Sequence, residues 1–548
     1  MKRVTLSLAV MLLSLTMFAG PTPAREDVTM DTDSAVDITR EVIVGPGSVG
    51  ISTNKNILMS FGARTRIIPT SETDYDFGFA GDLQSPLLGG ALGNGFFKEH
   101  VNETGWVNNN YIRNETQIYF NAMPKDRKWS FYAALEFDRP MDVQVADDRG
   151  GLDDQTNDFG LERIHGTYQL PANMRFHAGF DIWEIDGSKA GFVFGDDAPG
   201  LWLTGDYEAF DFSVGYFKLS ENNFNVEPNL AADGKDDDRD LYAGYLDFKP
   251  GEGMNLRTFY AYDRIRSTPT GGFLQALSEN MGETPKTDVH YLGAYYTGDY
   301  GLLEVFMEGV YKFGEAEETA LARDDYDISA YALAGDVAIN VTDMIKPHVG
   351  VLYTSGDDDA TDDELGGYTG VVNSQRFSPY FGGENTIIGD TNFMLGTAVY
   401  GYVPEFYGNG TPVATGGLQN FAGFGNGRGD NPGLTMTSMG VTVTPKKFLI
   451  YRTNVNSFWW NEDIVVPSFV NPVVLTPVDS GYTGTEWDNE ITLATSKHSF
   501  IKTHFSFFFP GEVIEDVTSA RSSLMVPGSG PESDDTAYRL AMEFIWMF

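Results

Sequence analysis

The alternation of apolar and polar residues predicts β-strands along most of the chain. In the last thirteen residues, TAYRLAMEFIWMF, large apolar side chains occupy every second position, and Arg539, Ala541 and Glu543 fall between them. A period of two is a strand pattern, not a helix pattern. Comparable stretches recur and predict about eighteen strands, within a range of roughly sixteen to twenty. They lie near 57–68, 110–122, 128–139, 161–170, 174–185, 200–208, 210–219, 240–248, 254–265, 288–297, 301–313, 328–340, 345–354, 435–444, 447–459, 485–495, 499–509 and 536–548.

The connections between these strands are of two kinds, which alternate. Some are short, such as LPAN at 170–173 and TSKH at 495–498. Others are long, acidic and rich in Gly, Asn and Asp, namely 69–109, 140–160, 220–239, 266–287, 355–433 and 510–535. Outer-membrane barrels have short periplasmic turns and long extracellular loops, and an even strand number lets the last strand pair with the first. The predicted fold is therefore an all-β, transmembrane, antiparallel β-barrel over 57–548, with short periplasmic turns and long acidic extracellular loops.

The N-terminus predicts export. Residues 1–24, MKRVTLSLAVMLLSLTMFAGPTPA, contain two basic residues, an apolar run and then small residues and prolines. This is the layout of a secretory signal peptide, and the apolar run is short for a membrane-spanning helix. Residues 25–56 would then form a periplasmic N-terminal segment. The predicted location is the outer membrane of a Gram-negative bacterium.

Composition and charge narrow the classes of function. Lys and Arg number 37 and Asp and Glu 78, for a formal charge of -41, which argues against a nucleic-acid partner. The chain has no cysteine, so it offers no disulfide, no thiolate metal site and no CxxCH haem motif. No HExxH or GxSxG motif occurs among its residues. We therefore predict neither an enzyme nor a resident cofactor.

Charged residues on the inward strand faces are the candidate functional residues, because a barrel this wide encloses water. The inward faces assigned from alternation carry nine basic and nine acidic residues, against 37 and 78 in the whole chain. Two interpretations remain open: opposite charges could pair along the wall, or the basic residues could attract an anionic solute. The candidate lumen residues are Arg64, Arg66, Arg113, Glu115, Arg163, Arg175, Arg452, Lys502 and Arg539.

Several stretches resemble known outer-membrane channels. The segments YIRNETQIYF, NVNSFWWNED and SGDDDATDDE are similar to those of alginate-export channels and of porins from sulfate- and metal-reducing bacteria. The alginate-export resemblance implies an eighteen-stranded monomeric barrel with a basic lumen that passes an anionic polysaccharide. The aromatic C-terminus also resembles the signature that the barrel-assembly machinery recognises in outer-membrane proteins, carried here by Tyr538, Phe544, Trp546 and Phe548.

The connection 355–433 predicts a site of its own. Its acidic start offers oxygen ligands for calcium at Asp357, Asp358, Asp359 and Asp362, with a solvated acidic loop as the alternative. Its later part carries eight aromatic residues, which need burial. This part would fold into or over the barrel mouth as a constriction or lid, or form a trimer contact. The eight aromatic residues are Phe377, Tyr380, Phe381, Phe393, Tyr400, Tyr402, Phe406 and Tyr407.

Together these patterns predict a porin-like channel for passive diffusion of small or anionic solutes. The alternatives are a polysaccharide-export conduit and the structural sheath of a porin–cytochrome electron conduit. The expected partners are outer-membrane lipid and lipopolysaccharide, the barrel-assembly machinery through the C-terminal strand, and the diffusing solute. A homotrimer and a monomer are both compatible with the sequence.

Overall fold

The computed structural model of the protein describes a chain dominated by β-strands. It covers residues 49–52, 57–74, 77–78, 109–140, 160–186, 191–220, 238–266, 287–317, 325–359, 362–368, 370–373, 432–468, 471 and 473–548. In these ranges one helix, α1, spans Glu512–Arg521. The strands are β1 Val49–Ser52, β2 Ile57–Thr73, β3 Asn109–Pro124, β4 Trp129–Pro140, β5 Gly160–Gln169, β6 Met174–Glu184, β7 Phe194–Asp206, β8 Phe210–Ser220, β9 Arg239–Gly251, β10 Met254–Ile265, β11 Thr287–Asp299, β12 Leu303–Ala316, β13 Tyr326–Ile339, β14 Ile345–Thr354, β15 Glu364–Leu365, β16 Val372–Asn373, β17 Leu434–Lys446, β18 Leu449–Trp460, β19 Ile464–Pro467, β20 Leu475–Val478, β21 Tyr482–Ser496, β22 Ser499–Pro510 and β23 Ala537–Met547.

Eighteen of the strands close into one antiparallel ring. The ring runs β2 to β14, then β17, β18, β21, β22 and β23, each strand pairing with the next. The last strand, β23, pairs with β2, from Arg64 opposite Met547 to Thr73 opposite Tyr538. At the end of this seam the Ala63 N–H donates to the Phe548 carbonyl at 2.8 Å, and the Phe548 N–H donates back at 3.0 Å. Closure leaves no open edge in the ring, which confirms the predicted barrel.

The barrel strands occupy all eighteen predicted positions, with differences at the ends. β7 begins at Phe194 instead of residue 200, and β2 continues to Thr73. The connections contain elements that alternation did not predict: β15, β16, β19, β20 and α1. β1 lies in the segment 25–56 predicted to precede the barrel, and it pairs with the start of β2. Residues 1–24, the predicted signal peptide, lie outside the described residues.

The outward strand faces form an apolar belt. Large apolar side chains stand exposed around the ring, for example Leu292 at 56% and Val349 at 65% of their full accessible surface. Outward rings contact one another from strand to strand with centroids between 4.9 and 5.9 Å apart, namely those of Tyr216, Tyr242, Tyr262 and His290. An apolar outer band with aromatic residues near its edge is the surface of a barrel in a bilayer. The protein is therefore a transmembrane barrel of the outer-membrane type.

The two ends of the barrel differ. One end, the turn rim, carries short turns such as residues 125–128 between β3 and β4 and residues 170–173 between β5 and β6. The other end, the loop rim, carries the long connections. Within the described residues, no helix has the length and apolar character needed to cross a bilayer.

Near the loop rim, one side of the barrel interior is apolar and closely packed. Inward residues at the loop-rim ends of β9, β10 and β11, namely Leu241, Ile265 and Val289, are fully buried. They belong to one apolar cluster with Phe192 and Val193, which lie in the connection from β6 to β7. The inner wall in this sector is therefore covered by chain that folds inward from the loop rim.

Candidate pore constriction and lumen wall

The described residues 355–359, 362–368 and 370–373, here called the crossing segment, lie inside the barrel. Its β15 pairs in parallel with β13, Ile328 opposite Leu365, and its β16 pairs in parallel with β7, Val372 opposite Phe194. Five barrel strands, β8 to β12, separate β7 from β13 along the ring. A chain that joins these two strands through buried residues must cross the barrel as a chord.

Inward side chains of the wall hold the crossing segment in place. The Arg239 guanidinium donates to the Val371 carbonyl at 3.2 Å while it binds the Asp263 carboxylate at 2.6 and 3.0 Å. The ammonium of Lys312 lies 6.0 Å from the centroid of the Tyr368 ring. Lys312, Tyr368 and Val371 are almost completely buried. Because Arg239 and Lys312 point inward, the segment that they contact lies inside the barrel.

Hydrogen bonds at both ends fix the backbone of the crossing segment. The Tyr368 hydroxyl donates to the Phe192 carbonyl at 3.0 Å, and the Val371 N–H donates to the Val193 carbonyl at 2.8 Å. At the other end the Ser355 hydroxyl donates to the Gly366 carbonyl at 2.7 Å. The segment is thus tied to the connection between β6 and β7, and the bond between Ser355 and Gly366 holds its first part together.

Two buried carboxyl groups support these attachments. Asp357 accepts the Gly366 N–H at 3.1 Å, and Asp186 accepts the Val193 N–H at 2.6 Å. Burial raises the pKa of Asp357 to about 7, and the neighbouring Asp362 and Asp358 act in the same direction. Burial also raises the pKa of Asp186 to about 7, although its backbone hydrogen bonds oppose the shift. Both groups therefore change charge near neutral pH.

The polar wall opposite the apolar sector contains the charged residues predicted from alternation. Arg64 and Arg66 both form ion pairs with Glu115, and Arg66 also binds Glu543 at 3.0 Å. Glu543 in turn lies 2.8 Å from His504 Nε2. The basic residues at the seam are therefore paired, in a network in which carboxylates alternate with guanidinium groups.

The other predicted lumen residues are also on the inner face and have partners. The Nε atom of Arg163 lies 2.8 Å from Oδ1 of Asp197, and Nη1 of Arg452 lies 3.2 Å from Oε1 of Glu490. Arg175 donates to Gln169 at 3.3 Å, close to the turn rim. The register places three more on the same face, Arg113 opposite Ile68, Lys502 opposite Glu543 and Arg539 opposite Ser506.

The acidic and basic partners differ in exposure. The side chain of Arg64 is 42% exposed and its partner Glu115 is 8% exposed. Arg452 is 39% exposed and Glu490 is 3% exposed. In these two pairs the guanidinium group faces the lumen and the carboxylate lies behind it in the wall. The surface offered to a solute is therefore more positive there than the residue count suggests.

Sequence reasoning missed several inward charged residues. Arg257 binds Asp247 at 2.6 and 2.7 Å, and Arg239 binds Asp263. Their strands carry apolar residues on both faces, so alternation did not distinguish inside from outside. A usable signal was present in β10, where Arg257 and Asp263 are an even number of residues apart and so share a face. The numbers of inward basic and acidic residues stay nearly equal when the register is taken into account. Inward residues that the register adds include Arg239, Arg257, Lys312, Asp211, Asp247, Asp263, Asp336 and Glu486.

The acidic start of the connection is partly ordered by its own backbone. Asp357 binds the Gly366 N–H, and Asp362 accepts the Glu364 N–H at 2.8 Å. Among the described residues, no group of three or more His, Asp or Glu side chains is placed to hold a metal ion. Calcium binding at Asp357, Asp358, Asp359 and Asp362 stays a prediction. The eight aromatic residues from Phe377 to Tyr407 lie outside the described residues, so their role as a lid also stays a prediction.

The chain is similar in fold to several solved outer-membrane proteins. No protein-family model matches the chain. No curated protein matches it either. Among solved structures, it is similar to Pseudomonas aeruginosa OccK9 (OpdG), with 11% identity over 89% of this chain and 98% of that chain and a TM-score of 0.46. OccK2 (OpdF) of the same organism, solved in complex with glucuronate, gives 12% identity, the same coverages and a TM-score of 0.44. Acinetobacter baumannii OccAB2 is 10% identical over 89% of this chain and 98% of that chain, with a TM-score of 0.46.

Sequence identities and TM-scores this low do not indicate the function of this chain. The fold is instead established by the strand pairing and by the apolar outer belt. The comparisons do not support the resemblance to alginate-export channels or to porins of sulfate- and metal-reducing bacteria.

Proposed function

We propose that the protein is a porin-type channel of the outer membrane that passes small hydrophilic solutes by passive diffusion, with a modest preference for anions. The crossing segment is the observation that carries this proposal. It covers one sector of the interior near the loop rim, so we place the path of the solute along the charged wall of the other sector. A closed wall, a polar lining and a local narrowing are the features that a diffusion pore requires.

The exposure of the wall charges supports the preference for anions. Arg64 and Arg452 face the lumen, and their carboxylate partners are buried. A solute near the wall is therefore closer to the guanidinium groups than to the carboxylates. Because nearly equal numbers of both signs line the wall, the preference should be weak and should decrease with added salt.

The two alternative functions fit the geometry less well. A polysaccharide conduit or a sheath around a cytochrome needs a wide interior, and the crossing segment spans the interior between β13 and β7. We therefore favour a solute small enough to pass beside this segment.

Single-channel recording in planar bilayers tests the proposal. We expect stepwise, ohmic conductance from the purified barrel. Deletion of residues 366–430, with a short Gly/Ser linker, should raise the conductance several-fold or make the current noisier, because it removes Tyr368 and the contact with β7. Shortening of the connection 221–237 is the matched control and should change the conductance little.

Heat-modifiable migration on gels verifies that both variants are folded. A folded barrel without conductance would contradict the proposal. Unchanged conductance together with loss of oligomers in the 366–430 deletion would identify this connection as a subunit interface instead.

A further inference from the structure

A small packed unit, here called the platform, stands on the loop rim above β18, β21 and β22. It consists of the hairpin β19–β20 and helix α1. Apolar side chains fill its interior and are almost completely buried: Ile464, Val466, Val478, Val513, Ile514, Val517 and Ala520. These residues belong to the same buried cluster as Phe458 and Phe508, the inward residues at the loop-rim ends of β18 and β22, so the platform is anchored to the rim and holds a defined shape.

The platform carries four exposed apolar side chains at one place, here called the apolar tip: Val473, Leu524, Met525 and Val526. Val473 is 87% and Met525 is 80% exposed. The two parts of the tip are adjacent, because the Asn471 side chain donates to the Leu524 carbonyl at 3.1 Å. Isolated apolar residues at a surface are ordinary, but three consecutive exposed residues with a fourth nearby, on the platform and not on the strand faces of the belt, suggest a contact surface.

Hydrogen bonds hold the backbone of the tip in place. The Gly528 N–H donates to the Thr476 hydroxyl at 3.1 Å, and the Ser529 N–H donates to the Ser523 hydroxyl at 3.1 Å. The Ser468 hydroxyl donates to the Ser523 carbonyl at 2.5 Å. The side chains of Met525 and Val526 are thus presented to water by an anchored turn. Binding to such a preformed surface loses little conformational entropy.

Carboxylates surround the same platform and form an acidic collar: Asp479, Glu512, Glu515, Asp516, Glu532 and Asp534. Burial raises the pKa of Glu515, and so do the charges of Asp534, Glu532, Asp516 and Glu512. Burial likewise raises the pKa of Asp516, assisted by Glu532, Glu512 and Asp479. The charges that act on these two groups are all negative, so the carboxylates lie close enough to repel one another.

We propose that the apolar tip and the acidic collar together form a docking site for a cationic polypeptide that offers an apolar side chain. Glu515 lies about 9 Å from the C-terminal end of α1 at 1.5 Å per residue, and Leu524 of the tip follows that end by three residues. One short segment can span this distance, with its basic residues on the collar and an apolar residue on the tip.

The negative charge of the collar favours a cationic polypeptide over two other binding partners, a second copy of this chain and outer-leaflet lipid. A second copy of the chain would place one acidic collar against another in a two-fold contact, and like charges oppose such a contact. The phosphate groups of outer-leaflet lipid would be repelled in the same way. A basic partner gains attraction from the collar and apolar burial from the tip.

The test uses defined peptides and the full-length protein in phosphatidylcholine nanodiscs, with empty nanodiscs as the blank. The probe is a short lysine-rich peptide that carries leucines, compared with a lysine/serine and a glutamate/leucine peptide of equal length. We expect the lysine/leucine peptide to bind at least about tenfold more tightly than either comparison peptide, as measured by fluorescence anisotropy.

Variants separate the contributions of the tip and the collar. The double variant Met525→Ser/Val526→Ser should weaken binding about tenfold, and Met525→Leu should retain it. The double variant Glu515→Gln/Asp516→Asn should weaken binding and reduce its dependence on salt. Asp126→Asn, at the turn rim, is the matched control and should leave affinity unchanged. None of these residues lines the pore, so unchanged conductance verifies that each variant is folded.

Two results would overturn the docking site. Equal affinity for the lysine/leucine and lysine/serine peptides would mean that the tip contributes nothing. If peptide binding is absent and Met525→Ser/Val526→Ser dissociates an oligomer seen by mass photometry, the tip is an interface between copies of this chain.

Discussion

At the scale of single residues, Arg64 and Arg66 have different environments although both bind Glu115. The Arg64 side chain is 42% exposed, whereas that of Arg66 is 12% exposed and also binds Glu543. An exposed guanidinium group acts mainly on solutes in the lumen, and a buried one mainly neutralises the wall. The two residues should therefore give different phenotypes.

Replacement of Arg64 by Ser should shift the reversal potential toward cation selectivity at low salt and leave the barrel stable. Replacement of Arg66 by Ser should lower the unfolding free energy by about 1–3 kcal/mol, because two buried carboxylates lose a partner. Urea titration of the barrel in lipid vesicles measures the stability. Lys128→Ser, at an exposed turn, is the control for both. A selectivity change larger in Arg66→Ser than in Arg64→Ser would contradict this assignment.

Asp357 and Asp186 predict a pH dependence of the crossing segment. Burial raises the pKa of each from 3.8 to about 7, so the folded state binds their protons more tightly than the unfolded state. The attachment of the segment should therefore be strongest in acid, weaken as the pH rises from about 4 to about 7, and change little above that.

Hydrogen exchange of residues 364–373, corrected for intrinsic rates, measures this effect. Amides should open more readily at about pH 8 than at about pH 5, and the double variant Asp186→Asn/Asp357→Asn should show a smaller difference. Asp126→Asn at the turn rim should retain the full difference. A pH dependence that is the same in the double variant would assign it to other groups.

At the scale of elements, β23 closes the barrel, and its C-terminal residue takes part. Phe548 both donates to and accepts from the backbone of Ala63. Its side chain and that of Trp546 are exposed on the outer face. The strand therefore contributes hydrogen bonds to the seam and apolar surface to the belt.

Deletion of Phe548, or replacement of Trp546 and Phe548 by Ser, should reduce the amount of folded barrel in the outer membrane. The deletion removes two hydrogen bonds of the seam, and the replacement removes apolar contact with lipid and the aromatic ending that resembles an assembly signature. Heat-modifiable migration of membrane extracts measures the folded fraction. Phe448→Ser is the control, because it changes an exposed aromatic residue of the turn rim outside the seam. An equal loss of folded barrel in this variant would argue against a special role of β23.

At the scale of the whole molecule, the belt makes the lipid bilayer part of the folded state. Leu333 lies in the middle of β13 and is half exposed on the outer face. The inward neighbours of β13, such as Ala332, are fully buried. A charge on the outer face must therefore enter lipid.

Replacement of Leu333 by Arg should lower the unfolding free energy in lipid vesicles by about 2–4 kcal/mol. Leu333→Ala is the matched control and should lower the unfolding free energy by less, because it places no charge in the hydrocarbon of the bilayer. Urea titration measures both variants. Equal stability of the two would mean that this face of β13 is not in contact with lipid.

The sequence alone determined the parts of this protein that depend on local alternation. The eighteen barrel strands and the inner and outer faces of strands such as β23 follow from a period of two in side-chain polarity. The same pattern identified Arg64, Arg66, Glu115 and Glu543 as inward residues, because each belongs to the charged one of the two alternating sets of side chains on its strand.

Tertiary structure decided what depends on contacts between residues far apart in the chain. Arg66 and Glu543 are separated by 477 positions, and only closure of the ring brings them together. The path of the crossing segment depends on backbone groups of β7 and β13 that neighbouring strands leave unpaired. The inner face of β9 is decided by the pairing register, because both faces of this strand carry apolar residues. Alternation describes one strand at a time, so it contains no information on which strands a connection will reach.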